Sequence, residues 1–382
     1  MCNIAGIDIA SRKFDYRIID GNGASLSKGS CEMSYEGFRS FLSDVPEDTV
    51  FIMESTGRYH KNLCHFLTNK GFSVCVENPM MIKNYVKSTT LRKTKTDSAD
   101  ALSIARYGLA NYDRLHREKH VMDDEVRSIA RRRQEVAEDI ARAKTQLKSD
   151  LALAWPEILA ADVFTSSMLS FLSSFASPDE VLSATDEELV AALSSGRGRS
   201  LETSAEDIKG YAIGSIGVPG YADLVKDSAA KILYLEKRDK ALTKALIEHE
   251  KKVHEKEMEI LQSIPGVGEV TAAHFMAEVE DISRFATYQK LIAYMGTDPS
   301  IYQSGESHSS GHITKHGNRS LRKYVFIMAK SAKNYSPFFN AYYDKKINEG
   351  FSHRKAMVAV MNKLTKIIFT LLTRGEMYKE EL

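Results

Sequence analysis

The chain opens on Asn3 to Ala10, NIAGIDIA, a run of strand-forming apolar residues interrupted once, by Asp8 between Ile7 and Ile9. A carboxylate in a stretch that must be buried is costly unless a cation compensates it, and charged residues are almost never fully buried unpaired. Asp8 therefore calls for a partner charge or a bound ion on the first strand. Phe14 to Asp20 (FDYRIID) reads as a second strand, and a Gly21-Asn22-Gly23 turn leads to a third around Ala24 to Met33. Tyr35 to Asp44 has helical spacing, and Thr49 to Glu54 (TVFIME) is a buried-strand run. Tyr59 to Lys70 is helical again, closed by Gly71, and Ser73 to Glu77 (SVCVE) is a fifth strand. A basic, Thr-rich stretch then precedes a helix that begins near Thr96 or Asp97 and runs through Ala110.

Three antiparallel strands, then helix, strand, helix, strand and a further helix make the element order of the RNase H-like fold, an α/β class built on a mixed sheet. In such a sheet the fourth strand neighbours the first, which places Glu54 beside Asp8. Asp97 and Asp100, three apart at a helix start, can face the same point in space. Four converging carboxylates repel one another, and hard divalent cations with oxygen ligands resolve that repulsion. Two ions about 3.5–4 Å apart can activate an attacking oxygen and stabilise a leaving one, which is nuclease and transposase chemistry. Each acid alone also has a plainer use. Asp97 suits a helix cap, Asp100 a first-turn acid, and Glu54 a strand-end surface residue.

At 382 residues the chain has room for two or three domains. Its 43% apolar and 27% charged residues exclude wholesale disorder and fibrous repeats. No apolar run reaches the roughly 18 residues that span a bilayer, and no basic leader precedes the first strand, so a soluble, cytoplasmic protein away from membranes is expected. Cys2, Cys31, Cys64 and Cys75 lack zinc-site spacing and are expected to be reduced structural thiols. The net charge of +1 hides an uneven distribution. Met81 to His120 carries nine basic and four acidic residues, and Arg284 to Tyr335 eight and two, whereas Glu157 to Gly210 carries three and ten. Basic patches are the footprint of phosphate backbones, although a basic block is also an ordinary solvated face.

The middle of the chain is helical. Val136, Ile140, Ala143, Leu147, Leu151 and Ala154 form one apolar seam and Ile232, Leu235, Leu242, Leu246, Val253 and Ile260 another, predicting two long antiparallel helices with breaks at Asp239 and His249. Either a plain helical hairpin or a dimerising coiled coil satisfies that pattern. The acidic, Ser-rich segment between them should hold several short helices. In the last third, LQSIPGVGEVTAAHF (261–275) resembles a helix-hairpin-helix, with Gly266 and Gly268 letting backbone NH groups approach a phosphate; a tight turn needing glycine geometry is the other reading. Asp298 to Gly311 (DPSIYQSGESHSSG) reads as a polar loop with five serines. Lys315, Arg319, Arg322 and Lys323 then cluster at a helix start, able to fix phosphates while Leu321, Val325 and Met328 pack inward.

These motifs carry a resemblance. GIDIA with Asp8, MESTGRY with Glu54 and KTDSADA with Asp97 and Asp100 resemble the N-terminal DEDD, RuvC-like domain of a bacterial insertion-sequence transposase family. IPGVG, DPSIYQSG and ITKHGNRSLR look like the same family's C-terminal transposase domain. The expected organisation is a RuvC-like metal-binding domain over 1–115, a helical coiled-coil connector with an acidic insertion over 116–260, and a mainly α-helical transposase domain over 261–382. Members of the family are recombinases guided by a bridge RNA that pairs with target and donor DNA.

The resemblance implies a composite site. Asp8, Glu54, Asp97 and Asp100 would bind Mg2+ or Mn2+, and a C-terminal serine would attack the DNA phosphate to form a phosphoserine intermediate. By position after DPSIY that serine is Ser304; many relatives read Ser-Ser-Gly where this chain has Gln303-Ser304-Gly305, which leaves Ser310 of Ser309-Ser310-Gly311 as runner-up. Lys93, Lys95 and the Lys315–Lys323 cluster would contact phosphates of DNA or guide RNA. A homo-oligomer, dimer to tetramer, associated with the nucleoid, is implied as well. Two competitors share the same residues: an RNase H-like nuclease or junction resolvase in which water attacks, and a non-catalytic nucleic-acid scaffold.

Overall fold

A computed structural model of the chain describes residues 2–43, 45–55, 57–89, 97–115, 123–194, 203–304 and 307–380. It divides into two compact units, Met1–Asp124 and Glu125–Leu382. The first contains β1 (Asn3–Ile9), β2 (Lys13–Ile19), β3 (Ser25–Glu32), α1 (Tyr35–Leu42), β4 (Thr49–Glu54), α2 (His60–Asn69), β5 (Ser73–Glu77), α3 (Pro79–Thr89) and α4 (Asp97–Ala110). The strands form one mixed sheet in the order β3-β2-β1-β4-β5, with β1 to β3 antiparallel and β1, β4 and β5 parallel. The expected neighbour relation of the first and fourth strands holds, in the register Ile7 opposite Met53.

Alternation along the strands feeds two cores. Ala5, Ile7, Phe51, Met53 and Val74 pack with Phe38 and Phe41 of α1 and Leu63 and Leu67 of α2. Ile4, Val50, Ile52 and Cys75 turn to the other face and pack with Ile82 of α3 and Ile104, Ala105 and Tyr107 of α4. Each fully buried side chain of this size stabilises the fold by about 1.5–3 kcal/mol relative to leaving it exposed. Where the sequence suggests only a basic, Thr-rich stretch, the chain forms α3. Its start is nonetheless written in Asn78-Pro79: proline suits a first helical turn, and the Asn78 Oδ1 accepts from the Met80 amide at 2.8 Å.

The second unit begins with α5 (Asp123–Ala154), continues through α6 (Ser166–Leu172), α7 (Pro178–Ser183), α8 (Asp186–Ser194) and α9 (Ala205–Ala212), and returns along α10 (Ala222–Val253). Asp150 accepts from Ser228, Lys144 pairs with Glu236, and Arg133 pairs with Asp239, so α5 and α10 run antiparallel within one chain. The seam is thus satisfied internally as a helical hairpin. Its second half departs from expectation after Leu246: Val253 is exposed at the end of α10, and Ile260 belongs to the next helix. The short helices gather around the fully buried Trp155, whose Nε1 donates to the Tyr211 carbonyl at 3.0 Å. Their acidic charge sits at helix starts, with Asp179 and Glu180 opening α7, Asp186 to Glu188 opening α8, and Glu206 and Asp207 opening α9. There it complements the helix dipole.

The rest comprises α11 (Glu255–Gln262), α12 (Glu269–Val279), α13 (Tyr288–Met295), the antiparallel pair β6 (Pro299–Ser304) and β7 (Ser307–Ile313), α14 (Arg319–Tyr335), α15 (Pro337–Asn348) and α16 (His353–Arg374). Phe275, Met276, Leu321, Val325, Met328, Phe339, Val360 and Ile368 form its core. By length and composition α16 meets the test for a membrane span that no segment was expected to meet, yet Val360, Met361, Leu364 and Ile368 bury it in this core.

Candidate active site

Along β1, Ile4 and Gly6 face α4, and Asp8 continues that alternation; along β4, Val50 and Ile52 do the same for Glu54. Both acids stand half-buried at the carboxyl ends of neighbouring parallel strands, one step beyond the Ile7–Met53 pair. Asp8 is therefore less enclosed than the apolar sequence around it implied.

Glycine lets α4 close over this face. A Cβ on Gly6 would stand 2.3 Å from the Ala101 carbonyl oxygen, and one on Gly108 would stand 2.6 Å from Ile52. Because Ala101 lies over Gly6 while Gly108 lies over Ile4 and Ile52, α4 runs antiparallel to β1. Its first turn, with Asp97 and the half-buried Asp100, is carried to the Asp8 end of the strand.

A further carboxylate, not picked out from the sequence, shares the face. Glu77 ends β5 in register with Glu54, and the Tyr107 hydroxyl donates to its Oε2 at 3.4 Å. Burial, then the Glu77 charge and hydrogen bond, hold the Tyr107 hydroxyl above its ordinary range, so it stays a donor. The signal was available: SVCVE ends in glutamate just as TVFIME does. The donor set is all carboxylate oxygen, which suits a hard divalent ion such as Mg2+ or Mn2+. Among the described residues no group of three or more His, Cys, Asp or Glu stands close enough to hold a metal. The side chain of Asp97 lies outside them, as do Lys93 and Lys95.

In the second unit, Ser304 ends β6 opposite Ser307, and Ser310 lies on β7 opposite Ile301; the serine side chains lie outside the described residues. The stretch expected as a loop is thus a hairpin. A two-stranded ribbon is marginal by itself, and this one is rooted in the helices. Thr314 Oγ1 donates to Asp298 Oδ1 at 2.7 Å, and Thr297 Oγ1 donates to Asn362 Oδ1 of α16 at 2.8 Å.

The basic cluster divides in two. Lys315, in the left-handed region at φ 55°, and Arg319 are exposed. Arg322 instead donates to the Met295 carbonyl at 2.8 Å, and burial lowers its pKa. Lys323 donates to Glu138 of α5 at 2.9 Å, and hydrogen bonds from Lys323 and Gln134 hold that carboxylate below its ordinary range. Both are engaged inside the fold. Gly266, at φ 84°, is pressed against the backbone of Ser331 in α14, where a Cβ would stand 2.7 Å from the carbonyl carbon. Close packing therefore accounts for that glycine. Gly268, the cap residue of α12, has open space around its Cα.

Behind the cluster, His274 is fully buried and stacked on Tyr324 with ring centroids 3.6 Å apart, and neither ring nitrogen has a hydrogen-bond partner among the described residues. Burial first, then the charges of Arg133 and Lys323, push its pKa down to about 3. The ring is neutral at physiological pH.

A DEDD model of the IS110 group, described as a transposase, matches residues 5–156, and a model described as the transposase IS116/IS110/IS902 family matches residues 258–344. The mini-circle putative transposase for IS117 of Streptomyces coelicolor is 26% identical over 98% of this chain and 95% of its own length. The pilin gene-inverting protein of Moraxella bovis is 22% identical over 99% of this chain and 98% of its own. Among solved structures, RuvC of T. thermophilus in complex with Holliday junction substrate matches 31% of this chain and 100% of that one, with 14% identity and a TM-score of 0.25. Sheet, acids and C-terminal motifs lie within the two matched stretches, which together make up more than half of the sequence: the chain belongs to the IS116/IS110/IS902 family of insertion-sequence transposases.

Proposed function

We propose that this chain cuts and rejoins donor and target DNA as the recombinase of its insertion sequence. The observation that carries the reading is the register of β1 and β4, which sets Asp8 beside Glu54 under a helix opening with Asp97 and Asp100. These four acids would hold Mg2+ or Mn2+. Once bound, a divalent ion supplies positive charge opposite the negative charge that builds up on the phosphate oxygens.

Ser304, on its hairpin, is the proposed nucleophile and Ser310 the runner-up. Its Oγ bonds to phosphorus, its proton passes to a nearby carboxylate or water, and one DNA ester oxygen leaves. A hydroxyl from a second strand then attacks the phosphoserine and releases the serine. Lys93, Lys95, Lys315 and Arg319 would contact phosphates, and the open backbone at Gly268 offers NH groups to another. Arg322 and Lys323 would act through the fold. A bridge RNA supplies sequence choice by base pairing, and acids and serine would come together within a homo-oligomer, dimer to tetramer.

The test is to incubate the protein with its element-derived RNA, donor and target DNA and Mg2+, then look for a covalent protein–DNA adduct. Wild type should form one, and Ser304→Ala and Asp8→Ala should not. Cleavage by wild type without any adduct would make water the nucleophile, and an adduct persisting in Ser304→Ala would move the role to Ser310.

A further inference from the structure

A further basic stretch continues the Arg284–Tyr335 block: Lys330 to Arg374 carries nine Lys or Arg against two Asp or Glu. On the outer side of α15 and α16 these cations are interleaved with rings. Lys363 Nζ lies 5.4 Å from the ring centre of Phe338 and 5.8 Å from that of Tyr342. Lys366, one helical turn on, lies 5.2 Å from Tyr288 of α13. Lys346 stands over Tyr342 and Phe351 at 5.6 and 5.4 Å, and Lys333 over Tyr343 at 4.8 Å. Lys346 also pairs with Glu349, whereas among the described residues Lys333, Lys363 and Lys366 make no ion pair. Phe338 and Phe351 remain 36% and 38% exposed.

From this arrangement we infer that α15, α16 and Tyr288 hold an unpaired nucleic-acid strand. Cations with no acid to neutralise them suit phosphates, and exposed rings suit bases, whose faces are available only when the strand is not in a duplex. An exposed cation–π contact is weak, so an ammonium group can leave its ring for a phosphate and free the ring for a base. The surface also adjoins the serine hairpin: Asn362, next to Lys363, is the residue that accepts from Thr297 at the hairpin's root. A strand lying on Lys363 and Lys366 would pass beside that root. This goes beyond the recombinase reading, because binding needs neither metal nor Ser304.

The test is fluorescence anisotropy on the full chain in EDTA, with ~20-nucleotide oligo-dT, oligo-rU and a duplex of the same length as probes. Lys363→Glu/Lys366→Glu should weaken single-strand binding about tenfold and flatten its salt dependence by ~0.7 for each phosphate no longer neutralised. A charge-matched control on α10, Lys237→Glu/Lys240→Glu, should change it less than about twofold. Should the reversal unfold the helix pair in a thermal melt, Lys363→Gln/Lys366→Gln keeps the stems and is expected to weaken binding about threefold. Phe338→Ala should cost single-strand affinity about fivefold and leave the duplex alone. Tighter binding of either oligo-dT or oligo-rU supports the inference and tells which sugar is preferred. Equal loss in both charge variants, equal loss of duplex and single strand in Phe338→Ala, or displacement of the oligonucleotides by anionic vesicles would overturn it. Ser304→Ala should bind like wild type, which separates this test from the one for the nucleophile.

Discussion

Gly6 and Ala101 touch backbone to backbone: a Cβ on the glycine would stand 2.3 Å from the alanine carbonyl oxygen and equally close to the Ala105 amide nitrogen. No rotamer change relieves a clash with main chain. Gly6→Ala should therefore push α4 off β1, destabilising the first unit by about 1–3 kcal/mol. Because a shift near 1 Å at a reacting centre costs about 100-fold in rate, metal-dependent cleavage should fall further than stability does. Gly108→Ala meets the buried Ile52 and Ile4 side chains first, at 2.6 and 3.1 Å, and side chains yield at less cost than main chain. Thermal melts and cleavage assays that ranked Gly6→Ala no worse than Gly108→Ala would contradict this account.

Asp8→Asn and Glu54→Gln keep the shape of each side chain and remove its charge. Cleavage should drop by about two orders of magnitude, the scale of losing a group that stabilises developing charge, while circular dichroism stays native. Glu77→Gln should cost about tenfold, as for a group that steadies a metal ligand from behind. A Glu77 variant as inactive as the other two would promote that residue to a ligand.

The buried imidazole of His274 gives stability a pH dependence with a definite sign. Its folded pKa, about 3, lies below the ordinary value of 6.5, so between those values the unfolded chain binds the extra proton. Stability is then full above pH 6.5 and declines as pH falls toward 3, by at most about 1.4 kcal/mol per pH unit. Urea midpoints at about pH 7.5, 6 and 5 should show the decline in wild type and a shallower one in His274→Phe, which keeps the stack on Tyr324. Parallel curves would remove His274 as the cause.

The basic cluster at the start of α14 is expected to separate by assay. Lys315→Ala and Arg319→Ala should weaken DNA binding and its salt dependence with little change in melting temperature. Arg322→Ala should lower the melting temperature by removing the bond to the Met295 carbonyl, worth about 1 kcal/mol or more, with little direct effect on affinity. DNA titrations and melts on the same preparations distinguish the two behaviours.

The sheet was legible because its strands are bounded by strong signals: apolar alternation, the Asn22-Gly23 turn, and the Gly71 stop. Asp8, Glu54 and Asp100 could be placed from element order alone, since a parallel β1–β4 pair fixes which strand ends meet. Glu77 could have been picked out as the strand-end glutamate of SVCVE, but its contact with Tyr107, 30 positions away, was not legible because only the packing of α4 joins them. The β6–β7 hairpin was hidden because serine and glycine give no apolar alternation; its anchors, Asn362 and Asp298, act from outside the strands. Arg322 and Lys323 look no different in sequence from Arg319, and only their positions around the helix decide which of them meet a carbonyl or Glu138.

The antiparallel course of α5 and α10 has a consequence for how such a chain can change over generations. Asp150 meets Ser228, so the chain leaves the helical pair and re-enters it side by side. Everything strung between those two points, including the whole Trp155 lobe, is attached like a pendant on a closed clasp. Residues can be added to it or taken from it without shifting the rungs at Glu236 and Asp239, and so without disturbing the helices that root the serine hairpin. Length variation among relatives should concentrate in that pendant.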